Sequence, residues 1–421
     1  MKTKAVRLYG ARDLRIDEFE LPKIKNDEIL AKVISDSLCM SSFKASTQGI
    51  NHKRIPNNLN ENPIIIGHEF CGEIVEVGEK WRNQFSSGEK FAIQPALNDP
   101  NGPVGILSAP GYSYNFIGGN AQYIIIPAEV MKNGCLLKFD GEAYYMGSLS
   151  EPISCVAGAC HANYHTKQGS YVHDMGIIEG GSLALLAGVG PMGLAAINYI
   201  IHCDRKPSLM VVTDIDQERL DRASSIYTKE MALKNGIELH YENSSKINTD
   251  ELKSLSPYKK GYDDVFVFAP VAALIEQADN ILAFDGCLNF FAGPSDAQFS
   301  APINFFDLHY SATHFVATSG GNTDDLKEAL DLMSKGLVDP SALVTHVGGL
   351  DAVIETTLNL PSISGGKKLI YPHIRLPLIA IDELSEKEGS LFEGLAEIVH
   401  KNNGIWSPEA EKFLLLHAPK F

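Results

Sequence analysis

Two neighbouring residues, His68 and Glu69, head the stretch Gly67-His-Glu-Phe-Cys-Gly-Glu-Ile-Val-Glu-Val-Gly78, directly after the apolar run Ile64-Ile65-Ile66. An imidazole and a carboxylate at the mouth of a buried strand are natural ligand and supporting groups for a metal ion. Taken alone, the pair reads first as a core histidine beside a surface acid. Catalytic zinc needs about three N, S or O ligands and an open position. Cys39 is a natural sulfur donor, and Glu151, in Ser150-Glu151-Pro152, is a carboxylate at the start of a helix. A buried thiol and an acid complementing a helix dipole are the plain alternatives for these two. No Cys-x-x-Cys occurs in the chain, so spacing alone does not make a site, and Cys71, Cys155 and Cys160 read as core.

A second chemistry is written at Gly188-Val-Gly190-Pro191-Met192-Gly193, between the apolar strand Ser182–Ala187 and the apolar helix Leu194–His202. That context turns the glycine pattern into evidence for dinucleotide binding. The first glycine allows the tight turn, the second a close approach to pyrophosphate, and the third packs helix on strand; the helix N-terminus offers N–H groups to phosphate. Asp214 follows Gly193 by 21 residues, at the end of the next strand. Its carboxylate can accept from the ribose hydroxyls and repels a 2′-phosphate, which favours NAD(H); nearby Arg219 leaves NADP(H) open.

The elements that must hold these groups fall into two grammars. Residues 1–158 are β-rich and irregular, with short strands at Lys4–Tyr9, Leu14–Phe19, Glu28–Ile34, Phe91–Gln94 and Ala121–Ile126, a helix over Ala143–Ala162, and a Pro/Gly/Asn-rich surface excursion over Pro95–Gly119. Cys39 lies in a polar segment, and a loop over Gln48–Pro63 carries the basic cluster His52-Lys53-Arg54. Residues 159–311 alternate strands and helices, the pattern of a doubly wound parallel sheet. Residues 312–372 are short pieces more easily added to the first domain, and 373–421 form a helical extension with Ser407-Pro408 as a helix start. Of 421 residues 44% are hydrophobic and 21% charged, an ordinary globular balance, and the net charge of −16 argues against a nucleic-acid surface. No apolar run approaches the roughly 20 residues of a membrane span, no signal-peptide core opens the chain, and seven scattered cysteines suit a reducing compartment. A cytoplasmic protein with no membrane or nucleic-acid partner is expected. A homo-oligomer, dimer or tetramer, is also expected, and the tail suits an oligomer contact or a domain clasp.

Cys39-x-Ser41, Gly67-His68-Glu69-x-x-Gly72-x-Ile74-x-x-Val77-Gly78, Glu151-Pro152, the glycine fingerprint and Val344-Thr345-His346 resemble, in order, the zinc-dependent medium-chain alcohol/polyol dehydrogenases, over roughly residues 1–371. The resemblance implies an α/β protein in which a GroES-like β-rich catalytic domain is interrupted by a Rossmann domain. It also implies a zinc held by Cys39, His68 and a carboxylate, with Glu69 and Glu151 as ligands or supporting groups. Ser41 would pass a proton, with the ribose hydroxyls or Lys44 beyond it, and Lys367 would reach the cofactor pyrophosphate or be a plain surface lysine. Many relatives carry a four-cysteine lobe for a structural zinc; Pro95–Gly119 has no cysteine, so one zinc per subunit is expected. Ser42 and Lys44 stand where many relatives have Asp and His, which alters the proton relay.

Longer stretches, such as Gly286-Cys-Leu-Asn-Phe-Phe-Ala-Gly-Pro294 and Thr318-Ser-Gly-Gly-Asn-Thr-Asp-Asp325, resemble a ketose-phosphate-reducing branch of the family. That implies NAD(P)H-linked reduction of a sugar phosphate, for which Lys44, His52, Lys53 and Arg54 are the candidate phosphate cations; a solvated loop is the alternative for the last three. The rivals are a dehydrogenase of an unphosphorylated polyol and a non-catalytic dinucleotide sensor.

Overall fold

The computed structural model describes residues 1–167 and 169–421. The chain forms two compact units, Met1–Glu151 with Ala329–Phe421, and Pro152–Glu328. The boundaries expected at 158/159 and 311/312 therefore shift to 151/152 and 328/329. Both lie inside helices, Tyr144–Ala162 and Thr323–Ser334, so no loop composition marks them.

In the first unit the Ile29–Leu38 strand lies between two antiparallel partners, Phe70–Val77 and Lys367–Tyr371. Asp36 sits opposite both Phe70 and Ile370, and Leu38 opposite Lys368. This register fixes the chemistry. The C-terminal end of the central strand delivers Cys39 beside the N-terminal ends of its neighbours, which deliver Glu69 and Lys367. The segment after Cys39 is a helix, Met40–Gln48, with Cys39 at its N-cap, where only a polar segment is expected. Met-Ser-Ser-Phe-Lys-Ala-Ser-Thr-Gln has no apolar stripe and weak helix formers, so its periodicity is silent. The second half of the Pro95–Gly119 excursion is not on the surface: Ser108, Ala109, Tyr112 and Ile117 are buried.

The tail is part of this unit rather than an appendage. Helices Ser390–Lys401 and Pro408–His417 place Leu395, Val399, Trp406, Ala410 and Leu414 in one buried cluster with Tyr145, Leu149 and Tyr371. Ser407 caps the last helix by accepting from the Ala410 N–H, as its sequence indicates.

The second unit is a six-stranded, all-parallel sheet. From one edge the strands are Glu238–Asn243, Leu209–Asp214, Ser182–Leu186, Tyr262–Val267, Leu282–Phe290 and His314–Val316. In chain order that is 3-2-1-4-5-6, the doubly wound order whose switch point lies beyond the first strand. The sequence pattern over Leu220–Asn235 reads as one helix, but the structure has two, Gln217–Ile226 and Lys229–Lys234, because Thr228 caps the second by accepting from the Met231 N–H.

Within this unit His161 holds two helices together. Its Nδ1 lies 2.7 Å from an Asp325 oxygen and its Nε2 3.3 Å from Glu328. These hydrogen bonds raise its pKa to about 10 against the opposing effect of burial. A raised folded-state pKa gives stabilisation that is complete below the unfolded value of about 6.5 and is lost as pH rises through about 10. Since His161 is half exposed, the effect should be on the order of 1 kcal/mol. His161→Gln is expected to lower the melting temperature at pH 6 and to match the parent at pH 10.5 in calorimetry; an equal deficit at both pH values would contradict this.

Candidate metal centre and nucleotide-binding turn

Cys39, His68 and Glu69 each present a ligand atom, and these atoms lie within 4.8 Å of one another. His68 is placed by Gly67, whose φ of +96° is open to glycine at low cost. A side chain at that position would meet Asn120 Nδ2 at 2.6 Å and Asp36 Oδ2 at 2.8 Å. The chain can therefore turn here only with glycine, and the turn aims the imidazole inward. Ser42 Oγ lies 3.2 Å from His68 Nδ1, while Ser41 Oγ and the Tyr112 hydroxyl each lie 3.3 Å from Nε2. Ser41 also donates to Cys39 Sγ at 3.1 Å. With Nδ1 held by Ser42, the ring presents Nε2 toward the thiol and carboxylate, the usual division of labour in a metal-ligating histidine.

Glu151 is eight residues into its helix rather than at the start, and Pro152 lies inside that helix. A proline there removes one helix hydrogen bond and is unusual outside the first turn. Glu151 is buried, and its charge acts on His68. It thus belongs to the electrostatics of the same centre.

The charges explain why the place suits a cation. Burial pushes the Cys39 thiol up, and the Glu69 charge adds to this. Burial also raises the Glu151 carboxyl to about 7, with Glu69 and Cys39 adding to the shift and His68 opposing it. Burial lowers the His68 imidazole. Glu69 differs: burial would raise it, but the Lys367 ammonium overrides that and holds it below the usual carboxylate range. A thiol and the carboxyls of Glu69, Glu151 and Asp36 thus share a buried place with the Lys367 ammonium, and protons balance the remainder. A divalent cation can replace those protons, because a metal binds the deprotonated forms. The donor set Cys, His and carboxylate is one that zinc accepts.

Lys367 corrects an expectation. Its Nζ lies 2.6 and 2.7 Å from the two Glu69 oxygens, and both side chains are buried. It is a buried partner of Glu69 rather than a plain surface lysine. The basic loop also changes status. The His52 and Tyr112 rings stack at 5.9 Å, and the Arg54 guanidinium lies 5.8 Å from the Tyr112 ring centre. Burial first, then the charges of Arg54, Lys53 and Lys44, lower the His52 pKa to about 4. His52 is therefore neutral, and the three cations share its neighbourhood. Tyr112, which joins them to His68, was not singled out in the sequence, because it lies in a stretch that reads as loop.

In the second unit Gly188, Gly190, Pro191, Met192 and Gly193 make the turn from the Ser182–Leu186 strand into the Pro191–His202 helix. Gly190 is the N-cap and Pro191 takes the first turn. A side chain on Gly193 would collide with the Gly188 backbone, so the close helix approach requires glycine there. Asp214 ends the next strand and accepts from the Asp216 N–H at 3.1 Å. Arg219 pairs with Asp216 at 3.3 Å. A second trio of possible ligands, His161, Asp204 and Glu328, also lies in this unit, with His161 already held by Asp325.

Comparison with known proteins agrees with this architecture. The family model described as the alcohol dehydrogenase GroES-like domain matches residues 25–134. An L-sorbose 1-phosphate reductase of Klebsiella pneumoniae is 50% identical over 99% of this chain and 98% of its own length. The chain belongs to the zinc-dependent medium-chain alcohol/polyol dehydrogenase family. A mannitol-1-phosphate 5-dehydrogenase of Aliivibrio fischeri is also 50% identical, over 98% of this chain and 97% of its own. The crystal structure of 2R,3R-butanediol dehydrogenase from Bacillus subtilis has the same fold, at 24% identity and a TM-score of 0.68 over 88% of this chain and 99% of its own. No helix among the described residues is long and apolar enough to cross a membrane.

Removing the Lys367 ammonium leaves a buried carboxylate without its cation. Lys367→Met is expected to destabilise the metal-free protein by about 3–5 kcal/mol in urea unfolding. A loss below about 1 kcal/mol would show that Glu69 finds another partner or a proton.

Proposed function

We propose that this chain is a zinc-dependent, NAD(H)-linked reductase of a ketose phosphate, converting L-sorbose 1-phosphate to D-glucitol 6-phosphate. The observation that carries the phosphate is the grouping of Lys44, Lys53 and Arg54 around His52, joined through Tyr112 to His68. A sugar phosphate brings nearly two negative charges, and this acidic chain needs a local concentration of cations to hold them. Arg54 donates one N–H to the Leu107 carbonyl at 3.0 Å, which orients the guanidinium. His52 accepts from the Arg54 backbone N–H at Nδ1, so the neutral ring carries its proton on Nε2 and serves as a donor rather than a charge. The half-identical relative from Klebsiella pneumoniae supports the choice of sugar phosphate.

Cys39, His68 and one of Glu69 or Glu151 would hold zinc, which when bound would supply Lewis-acid polarisation of a carbonyl, and a bound reduced nicotinamide would supply the hydride. The chain's own residues do the rest. Ser41, within 3.3 Å of both Cys39 Sγ and His68 Nε2, is placed to give its hydroxyl proton to the oxygen of the reduced carbon. Lys44, one turn further along the same helix, stands where that proton can be replaced. Ser42 keeps His68 in one orientation. Asp214 takes the ribose hydroxyls, and because Arg219 is engaged by Asp216, the preference is for NAD(H) over NADP(H). Glu69 brings its ligand atom within 4.8 Å of those of Cys39 and His68 while paired with Lys367, and Glu151 acts on the same centre through its charge.

The half-identical relative from Aliivibrio fischeri gives a second reading, in which mannitol 1-phosphate is the sugar alcohol. A panel of L-sorbose 1-phosphate, mannitol 1-phosphate, free sorbose and sorbitol, with NAD(H) and NADP(H) and alongside elemental analysis, separates these readings. The expected result is one zinc per subunit and a kcat/KM at least about 100-fold higher for a phosphorylated sugar, since two charge-assisted phosphate contacts at roughly 1.5–3 kcal/mol each together exceed about 100-fold. Arg54→Ala and Lys44→Ala should each raise KM for the phosphorylated substrate about tenfold and leave KM for the free sugar unchanged. Equal kcat/KM for free and phosphorylated sugars would overturn the phosphate reading. Nucleotide binding without metal or turnover would favour a sensor.

A further inference from the structure

We infer that Glu411, in the C-terminal helix, is a positioning residue for the metal centre. Its carboxylate is buried, and both oxygens are engaged. Oε2 accepts from the Tyr144 N–H at 2.6 Å and Oε1 from the Tyr145 N–H at 2.8 Å. These are the first two residues of the Tyr144–Ala162 helix, whose leading N–H groups have no partner within the helix. A carboxylate there also faces the positive end of the helix dipole. The same Oε1 accepts from the Tyr371 hydroxyl at 3.1 Å, and Tyr371 in turn accepts from the Trp406 indole N–H at 3.2 Å.

Both elements tied by Glu411 lead to the candidate centre. Glu151 lies seven residues beyond Tyr144, about two turns along and on the same helix face. Lys367 lies four residues before Tyr371, so the two side chains share one face of their strand. Lys367 pairs with Glu69. One carboxylate thereby sets the axial position of the helix that delivers Glu151 and the register of the strand that neutralises Glu69. The tail of the chain, outside any motif, becomes part of the machinery that shapes the metal site.

This inference rests on the reading of Cys39, His68, Glu69 and Glu151 as a metal centre, and the experiment keeps the two apart. Zinc affinity of the full-length protein is measured by competition with a chromogenic chelator, with far-UV circular dichroism and thermal melting of each metal-free variant. Glu411→Gln keeps the volume but removes the charge and one acceptor; it should weaken zinc binding about tenfold. Tyr371→Phe, which removes only the hydroxyl that joins Glu411 to the strand, should weaken it about threefold. Leu414→Ala, a cavity in the same helix, should lower the melting temperature and leave zinc affinity at the parent value, which a merely structural role for Glu411 would not predict. If Glu411→Gln fails to fold, Tyr371→Phe decides. Parent-like zinc affinity in folded Glu411→Gln, or in Tyr371→Phe where it decides, would overturn the inference, as would an equal loss in Leu414→Ala. A parent protein that takes up no zinc would defeat the metal-centre reading and this inference with it.

Discussion

The first unit depends on how it handles buried negative charge. Three strand ends meet where Leu38 gives way to Cys39, where Glu69 precedes Phe70, and where Lys367 begins its strand. The register leaves the Glu69 carboxylate and the Cys39 thiol inside the protein with Glu151 near them. Lys367 is the cation paired directly with this charge. An isolated carboxylate in such a place is costly, and the ion pair offsets that cost only with close geometry. The 2.6 and 2.7 Å contacts supply it. Cys39 and Glu151 carry the remaining imbalance as raised pKa values, which is the state a metal ion relieves.

The surrounding structure serves this arrangement at two distances. Nearby, Ser41, Ser42 and Tyr112 surround the His68 ring, and Gly67 permits the turn that presents it. Farther away, Glu411 holds the helix and the strand that carry Glu151 and Lys367. Orientation of ligands by groups beyond the ligands is the general rule at metal sites. In this chain the outer groups come from the tail, from an irregular loop and from a polar helix, which are the parts with the weakest patterns.

The two units differ in how openly the sequence declares them. Ser182–Leu186 and Leu209–Asp214 are continuous apolar strands, and glycine is required at Gly193 by a local backbone contact. Motif and context lie within one stretch, so strand, turn and helix are readable together. In the first unit the Met40–Gln48 helix has no apolar face to announce it, and Tyr112 lies in a run rich in Pro, Gly and Asn that packs inward nonetheless. Pro152 suggested a helix start but lies in a helix interior. The unit boundaries, inside two helices, leave no linker to notice.

The sequence by itself determined the family resemblance, the alternating grammar of the second unit, and the identity of the groups able to do chemistry, because each of these is carried by residue type or by local spacing. Cys39, His68 and Glu69 were legible as donors for that reason. Their convergence, and the pairing of Lys367 with Glu69 across 298 residues, were decided only by strand register, a long-range property that no local pattern encodes. The same holds for Glu411, whose partners Tyr144 and Tyr145 are distant in the chain. A buried carboxylate is defined by what tertiary packing places around it, and residue type alone does not say whether it faces water, an ammonium or the free end of a helix.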